Sequence, residues 1–439
     1  MDNISQDQKL IEWPAAGSNV IEEVKQSLAV NKDGKVANTI ENFIKVLCKD
    51  KFLCGAICLN LLTGRVDIVR DLGWYRENAA RRDLDDTYLL FYMEQRYGLT
   101  NEKKLKNAIE IVANENCYHP IQDVLNDLVW DGKSRIRFCL HRFLGSEESD
   151  CVEEMLKHFL LGAIRRVFQP GSKYEEMLCL VGGQGAGKSS FFRLLAIKDE
   201  WFSDDLKRLD DDNVYTKLQG HWIIEMPEMV ATNNAKHIED IRAFISRQKE
   251  TYRTPYESQP KDRLRQCVFG GTSNSLDFLP LDRAGNRRFL PIMVHPEKAE
   301  IHILEDEAAS RAYLLQVWAE AMAIYRSNNY SMKFSKEIQD ELESLRKNFM
   351  QEDTDAGLIQ AFLDSYSGNQ VCSKQLFRES LGHEFGEPTR GQIHNINEIM
   401  NTAVTGWKPF SNPRMFAGYG RQRGWERQTS GNKPADNER

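Results

Sequence analysis

The sequence predicts an α/β protein in three parts, with a strand–loop–helix domain in the middle, a mixed α/β domain before it and a helical, winged-helix-like module after it. Three observations carry this prediction. An apolar run at residues 177–181 leads directly into a glycine-rich loop and then into a helical pattern. A hairpin pattern and amphipathic stretches precede this motif, and three short helical patterns followed by a glycine- and aromatic-rich stretch come after it. The length of 439 residues exceeds what one hydrophobic core usually organises.

The composition is that of a globular protein, with 41% hydrophobic and 28% charged residues and a net charge of −7. No apolar run is long enough to cross a membrane. The first thirty residues carry acids where a signal peptide needs basic and apolar residues, which predicts a cytoplasmic location. The acidic total leaves nucleic acid open as a partner, because clustered basic surface decides such binding.

The cysteine and histidine spacing argues against a resident zinc site. The nine cysteines form no C-x-x-C pair, and the nine histidines form no H-E-x-x-H arrangement. We therefore expect reduced, structural thiols, and a metal ion that arrives together with a ligand.

The first two parts show clear local patterns. A helical run through Ile40 and Leu47 precedes two strands on either side of Thr63-Gly64, and amphipathic stretches follow at residues 86–96 and 102–112. A further helical run leads from residue 152 to the glycine-rich motif. Helical periodicity returns at residues 305–325 and 334–349, which we interpret as lid or collar helices.

The predicted boundaries follow from these patterns. They are a flexible arm at 1–25, an amino-terminal α/β domain at 26–145, a core around the glycine-rich loop at 146–304, a helical lid or collar at 305–352, a winged-helix-like module at 353–427 and a disordered tail at 428–439.

The glycine-rich loop has the G-x-x-x-x-G-K-[ST] pattern of a phosphate-binding loop. Its predicted nucleotide-binding residues are Gly182, Gly183, Gln184, Gly185, Ala186, Gly187, Lys188, Ser189 and Ser190. A tight loop at a helix start turns backbone N–H groups towards a phosphate, and glycine permits the required backbone angles. We expect Lys188 to contact the β- and γ-phosphates of ATP and Ser189 to bind Mg²⁺.

Two acids follow on the next apolar strand pattern. Glu225 ends this strand and Glu228 lies three residues later. An ATPase needs one acid near Mg²⁺ and one that polarises water, so we assign Glu225 to the metal and Glu228 to the water. Glu228 is alternatively a solvated loop acid.

Asn274 ends the apolar run that begins at Cys267. An amide at this place is suited to orienting the attacking water near the γ-phosphate. Asparagine is also a common turn residue, so the position alone leaves both interpretations open.

Arg287 and Arg288 follow a Gly-Asn turn. They form either an exposed, salt-bridged corner or an arginine finger that reaches the nucleotide of a neighbouring subunit. Their spacing does not choose between these roles.

Several separated motifs together resemble the virulence-associated protein E family of phages and mobile elements. The likeness runs from about residue 36 to residue 294, with an echo at residues 419–424. The motifs are Trp130-Asp-Gly-Lys, Gly182-Gly-Gln-Gly-Ala-Gly-Lys-Ser, Trp222-Ile-Ile-Glu-Met-Pro-Glu, Tyr252-Arg-Thr-Pro-Tyr256, Cys267 to Asn274 and Gly285-Asn-Arg-Arg-Phe-Leu-Pro291.

The resemblance implies an AAA+-type P-loop ATPase, similar to superfamily 3 helicases, that assembles as a ring, with a hexamer expected. It implies action on single-stranded or forked DNA through a central pore, alongside other replication proteins of a mobile element. Many relatives carry a primase domain, but the early acids Asp83, Asp85 and Asp86 precede a helical pattern here. We interpret them as helix-start or solvated charges.

Two basic stretches are predicted to contact DNA. In superfamily 3 rings, the stretch at residues 251–266 corresponds to a pore hairpin, and here it carries Arg253, Lys261, Arg263 and Arg265. A solvated charged loop is the alternative. In the carboxyl module, Arg421 and Arg423 alternate with aromatic residues, which suits backbone contact and base stacking, or else protein docking.

These features favour an ATP-dependent DNA helicase or translocase with hydrolysis between subunits. The alternative is a nucleotide-gated DNA-binding switch or replication-interference factor without sustained unwinding. A P-loop kinase of a small metabolite is the weakest hypothesis, because nothing resembles a pocket for an acceptor substrate.

Overall fold

The computed structural model describes residues 18–206, 214–227, 235–252, 260–279, 286–350, 353–383 and 385–428. These residues form two compact units. The first comprises the described residues up to Leu345, except Ala235 and residues 277–279 and 286–287. Those residues belong to the second unit, together with the described residues from Arg346 onward.

The amino-terminal part of the first unit is a small α/β layer with its own hydrophobic core. Its elements are α1 (Ser18–Gln26), α2 (Ile40–Lys49), β1 (Ile57–Asn60), β2 (Arg65–Ile68), α3 (Asp83–Tyr97), α4 (Glu102–Glu115) and β3 (Cys117–Tyr118). Strand β1 pairs antiparallel with β2 and parallel with β3. The β1–β2 turn contains Gly64 at φ +66°, a backbone angle that glycine adopts without strain, so the predicted hairpin is confirmed.

The start of this layer differs from the predicted flexible arm, because the chain is already helical from Ser18. Ile21, Val24 and Leu28 are buried in the amino-terminal core. Their spacing of three and four residues places them on one face of a helical turn. Three apolar residues among polar ones give only a weak helical pattern, so the sequence favoured a flexible arm here.

The early acids serve the start of α3. Asp85 is fully buried and accepts hydrogen bonds from the backbone N–H of Arg82 at 2.7 Å and from the indole Nε1 of Trp74 at 2.7 Å. Asp86 forms an ion pair with Arg81 at 2.6 Å. These contacts agree with the interpretation of the acids as helix-start charges.

The centre of the first unit is a parallel sheet of five strands, in the order β10-β4-β9-β6-β5 among the described residues. Its strands are β4 (Met177–Val181), β5 (Phe202–Ser203), β6 (Ile223–Met226), β9 (Val268–Ser273) and β10 (Phe289–Met293). A separate antiparallel pair, β7 (Lys249–Tyr252) and β8 (Lys261–Leu264), precedes β9 in the chain.

Further helices lie before, between and after these strands in the chain. They are α5 (Pro120–Asp127), α6 (Ile136–Leu144), α7 (Asp150–Phe168), α8 (Lys188–Leu195), α9 (Val214–Leu218), α10 (Ala235–Ile245), α11 (Glu307–Ser327) and α12 (Lys336–Lys347). Gly270 of β9 leaves room for the ring of Phe192 from α8, since a Cβ atom at this glycine would lie 2.5 Å from the ring. The helix after the glycine-rich loop therefore packs closely on the sheet.

Two predicted domain limits fall inside one hydrophobic core. Leu125 of α5 and Phe143 of α6 belong to the same buried cluster as β4, although residues up to 145 were assigned to the amino-terminal domain. The α11 residue Trp318, assigned to a lid or collar, stacks on Trp222 with ring centroids 4.3 Å apart, and both rings are buried. The sequence pattern predicted each helix, but it did not show which element the helix packs against.

The second unit has a core of its own, formed by three helices and a small sheet. Its elements are α13 (Thr354–Ser365), β11 (Gln370–Cys372), α14 (Ser373–Glu379), α15 (Arg390–Thr402), β12 (Trp407–Pro409), β13 (Arg414–Phe416), β14 (Gly420–Gln422) and β15 (Gly424–Arg427). Strand β15 lies between β11 and β12, and β13 pairs with β14 as a hairpin. Three helices and terminal strands agree with the predicted sequence of elements.

All nine cysteines are free thiols. In the described part of the chain, no helix combines the length and apolar character that crossing a membrane requires.

Candidate functional site

The sequence-predicted polar residues converge at one edge of the parallel sheet. Strands β4 and β6 both pair with β9, and in this register Val181 lies opposite Ser273 and Glu225 lies opposite Gly270. The glycine-rich loop follows Val181 directly, and Asn274 follows Ser273. Because the carboxyl ends of parallel strands meet at one edge, the loop, Asn274 and Glu225 come together there.

The loop needs glycine at the positions where the chain turns. Gly187 has φ +79° and immediately precedes α8, and a Cβ atom at this position would lie 3.2 Å from Ile303. A Cβ atom at Gly182 would lie 2.6 Å from the carbonyl oxygen of Val294. At Gly183 and Gly185, by contrast, a Cβ atom would have no neighbour within 4 Å. The loop is therefore closely packed on one side and has open space on the other.

Three further loop residues differ in exposure. Gln184 is exposed, Ala186 is buried, and Ser190 lies half-buried in the first turn of α8. The side of the loop that carries Gln184 is therefore accessible to a ligand.

Lys188, the first residue of α8, points its ammonium group back into the loop. Its Nζ donates hydrogen bonds to the carbonyl oxygens of Gly182 and Gly183, both at 2.7 Å, and to Oδ1 of Asn274 at 2.9 Å. The side chain is buried, and this burial lowers its pKa, against the opposing attraction of Glu225. Lys188 and Asn274 are thus in direct contact, as expected if both serve the same ligand.

Glu225 is the buried acid of the site. Its Oε1 accepts hydrogen bonds from the Ser189 hydroxyl at 2.7 Å and from the Thr272 hydroxyl at 2.6 Å. Burial raises the pKa of this carboxyl group, while the Thr272 and Ser189 hydrogen bonds lower it in part. Sequence analysis missed Thr272, although its position on β9, two residues before Asn274, was the available signal.

The second carboxylate oxygen of Glu225, Oε2, is buried without a hydrogen-bond partner among the described residues. A buried, unsatisfied carboxylate oxygen is costly unless a cation or donor completes it. With the Ser189 hydroxyl beside it, this oxygen fits the oxygen ligands that Mg²⁺ prefers. The described residues contain no cluster of three or more acidic, histidine or cysteine ligands, so a bound ion would take its other ligands from a nucleotide and water.

The two adjacent arginines have different surroundings. Arg287 is exposed, and its carbonyl oxygen accepts a hydrogen bond from Arg346 at 2.8 Å. Arg288 is half-buried, with its Nε 3.6 Å from a carboxylate oxygen of Glu175. Arg287 is therefore the more accessible of the two. Glu228, the second predicted catalytic acid, lies outside the described residues.

The predicted pore hairpin corresponds to β7 and β8. Lys261 is exposed on β8, and the Arg263 guanidinium lies 5.2 Å from the ring centre of Tyr252 on β7. Both side chains remain compatible with DNA contact. Arg253 lies outside the described residues.

Arg265 does not fit its predicted role as a DNA contact, because it is only 3% exposed. Its guanidinium donates hydrogen bonds to the carbonyl oxygens of Phe244 at 2.5 Å and Ile245 at 3.3 Å, and it forms an ion pair with Glu250. It also lies 5.1 Å from the ring centre of Phe269. Arg265 therefore anchors the base of the hairpin, a role that a run of basic residues does not reveal in the sequence.

Replacing Arg265 with methionine should lower the free energy of unfolding by about 3–5 kcal/mol, because the buried Glu250 would lose its cation. Arg263→Met, at a half-exposed position on β8 two residues before Arg265, should cost much less. Urea unfolding followed by tryptophan fluorescence measures both changes. Equal losses would show that Arg265 does not hold the hairpin base.

The predicted DNA contacts of the second unit separate into exposed and packed residues. Arg421 and Arg423 are exposed. Trp425 is buried in the core, and the Arg427 guanidinium donates to the carbonyl oxygen of Leu363 at 3.0 Å. Within this stretch, Arg421 and Arg423 are the basic residues that remain available to a ligand.

Comparisons with known proteins give structural and family matches. The apo structure of the NrS-1 C terminal region is similar with a TM-score of 0.43 and 13% identity, covering 85% of this chain and 96% of that chain. The A form apo structure of the same region has a TM-score of 0.45, with 13% identity and the same coverage. No curated protein matches the chain.

A family model of the virulence-associated protein E-like domain matches residues 125–351. This range contains the glycine-rich loop, the strand that carries Glu225, Asn274 directly after β9, and helices α6 and α11, which share one core with the sheet. The chain therefore belongs to the virulence-associated protein E-like domain family.

Proposed function

We propose that this protein is a Mg²⁺-dependent ATPase that acts on DNA in the replication of a mobile genetic element. One observation carries the proposal: Lys188 contacts Asn274, and Ser189 contacts Glu225, at the edge where β4, β9 and β6 end. A cation, an amide, a hydroxyl and a carboxylate beside a glycine-rich loop are the groups that nucleoside triphosphate hydrolysis requires.

Each group has a separate task in this proposal. The loop amides and the start of α8 hold the phosphates, and Lys188 exchanges its carbonyl partners for phosphate oxygens. Ser189 and Glu225 would hold Mg²⁺, and the bound ion would neutralise charge on the phosphates. Asn274 orients the attacking water, and Glu228 is proposed to polarise it.

The nucleotide site is proposed to be completed by an adjacent copy of the chain, within a ring that the family resemblance suggests is a hexamer. In this AAA+-type arrangement, Arg287 is the preferred arginine finger because it is exposed, whereas Arg288 lies beside Glu175. The exposed Lys261 and the half-exposed Arg263 on the β7–β8 hairpin are proposed to contact DNA in the ring channel, and the winged-helix-like second unit adds Arg421 and Arg423.

Arg287→Ala should lower ATP turnover by about 10³-fold while leaving ATP binding unchanged, because a finger stabilises the transition state. Mixing this variant with Lys188→Ala chains should restore part of the activity, since each chain supplies the group that the other lacks. Steady-state turnover of the two variants, separately and mixed, measures this effect. Parental turnover in Arg287→Ala, or no recovery on mixing, would contradict action between subunits.

A second candidate function is a nucleotide-gated DNA-binding switch without sustained unwinding. It is favoured by the contacts of Lys188 with Gly182, Gly183 and Asn274, because a nucleotide must displace them and so changes the end of β9. Strand separation on a forked duplex supports the helicase, whereas tight, nucleotide-dependent DNA binding without separation supports the switch. ATP turnover and solution mass, each with and without single-stranded DNA, test the ATPase and the assembly that both functions share.

A further inference from the structure

The second unit contains a cavity of about 670 Å³ between α15 and the strands β12, β14 and β15. Asn397 and Asn401 line it from α15, and Gln422, Arg423 and Trp425 line it from the β14–β15 segment. The two asparagines are four residues apart, so they lie on the same face of the helix. The cavity therefore has a polar wall on α15.

The orientation of the Asn401 amide is fixed by chemistry. The indole Nε1 of the buried Trp425 lies 2.8 Å from Asn401 Oδ1, and an indole nitrogen only donates hydrogen bonds. The oxygen of Asn401 must therefore face Trp425, which leaves the amide NH₂ for another partner. Asn397 is the second amide of this wall, and its Oδ1 accepts a hydrogen bond from the hydroxyl of Ser373 at 2.6 Å.

The remaining charge on the cavity wall is positive. Among the described residues that line it, Arg423 is the only charged one, and it is exposed. Gln422 donates its own amide N–H to the carbonyl oxygen of Tyr419 at 2.9 Å. Among the described residues, the cavity wall thus combines one oriented NH₂ donor, on Asn401, with the Asn397 amide and one guanidinium, and it has no carboxylate.

We propose that this cavity binds a backbone phosphate of duplex DNA. An oriented amide donor and a cation, without a carboxylate, match a phosphodiester, which offers only acceptors and a negative charge. Two further exposed cations lie on the elements that form the wall: Arg390 begins α15, and Arg421 precedes Gln422 on β14. Several cations on one module favour a DNA backbone over a free phosphate ion. This inference rests on the DNA-directed function proposed above and adds a specific contact site in the second unit.

Asn401→Asp tests the site with little change in shape. The aspartate still accepts the Trp425 hydrogen bond, but an anionic oxygen replaces the NH₂ donor, so the affinity for duplex DNA should fall by about tenfold or more. Asn369→Asp is the matched control, because Asn369 is exposed in the same unit, lies outside the cavity wall and gives the same change in charge. Fluorescence anisotropy of a labelled duplex, with the full chain and without nucleotide, measures both affinities.

Arg423→Ala provides the second measurement, a reduction by about one of the slope of log affinity against log salt concentration. Equal affinities of the Asn401→Asp and Asn369→Asp proteins would overturn the proposal. Loss of inorganic phosphate binding in Asn401→Asp with unchanged duplex affinity would also overturn it, because the site would then hold a free ion. The DNA-binding measurement contains no nucleotide, so its result does not depend on whether the protein is an ATPase. ATP turnover without DNA should be the same in the Asn401→Asp and Asn369→Asp proteins.

Discussion

Lys188→Ala should reduce ATP hydrolysis by at least about 10³-fold, because the ammonium group is the cation placed within the glycine-rich loop. The loss of affinity should accompany the loss of turnover, since a lysine that contacts phosphates contributes to both. Phosphate release measured at saturating ATP and Mg²⁺ quantifies turnover. Titration with a fluorescent ATP analogue quantifies affinity.

Lys173→Ala is the matched control for this substitution. Lys173 belongs to the same unit, and its side chain is 67% exposed beside Glu175. Its removal should leave turnover unchanged within experimental error. If Lys188→Ala and Lys173→Ala hydrolyse ATP at the same rate, the loop does not serve catalysis.

Glu225→Gln should reduce Mg²⁺-dependent turnover by about 10²–10³-fold while the folded structure is kept. The amide has nearly the same shape and still accepts the hydrogen bonds of Ser189 and Thr272, but it lacks the charge that would hold Mg²⁺. Nucleotide binding in the presence of a chelator should therefore be close to parental. Turnover measured over a range of Mg²⁺ concentrations shows the defect, and parental activity at ordinary Mg²⁺ concentrations would rule out the metal role of Glu225.

The raised pKa of Glu225 gives the same substitution a second consequence in the absence of metal. A carboxyl group whose pKa is higher in the folded than in the unfolded state contributes stability below its unfolded pKa, and this contribution is lost as pH rises through the folded pKa. The parental protein should lose stability relative to Glu225→Gln across that range. Thermal unfolding at a series of pH values measures the difference. If the melting temperatures of the two proteins changed in parallel with pH, the Glu225 carboxyl group would not have a raised pKa in the folded state.

Site residues could be predicted from the sequence where a motif specified both the residue type and its place beside a strand. The glycine-rich loop, Glu225 and Asn274 were all predicted, because each follows or ends an apolar strand pattern and parallel strands bring such ends together. Thr272 was missed because a hydroxyl within a buried strand gives no pattern of its own. The hydrogen bond from Thr272 to the Glu225 carboxylate became apparent only from the structure, in which β6 pairs with β9.

Residues whose role depends on burial were predicted less well. Arg265 and Arg263 are indistinguishable in a basic stretch, yet one is buried against Glu250 and the other lies over the Tyr252 ring. Likewise, the helical pattern of α11 was correct, but its packing through Trp318 onto Trp222 depends on contacts between residues almost one hundred positions apart in the chain, which periodicity does not encode. Sequence periodicity predicts helices and strands, but the elements that they pack against are known only from the tertiary structure.

Calorimetric titration of the full chain with ATP and Mg²⁺ tests the central claim most directly. We expect one nucleotide bound per chain with an affinity in the micromolar range typical of such enzymes, weaker binding when Mg²⁺ is chelated, and no detectable binding by Lys188→Ala at the same concentrations. Absence of binding by the parental protein, or equal binding by Lys188→Ala, would contradict the assignment of the glycine-rich loop as the nucleotide site.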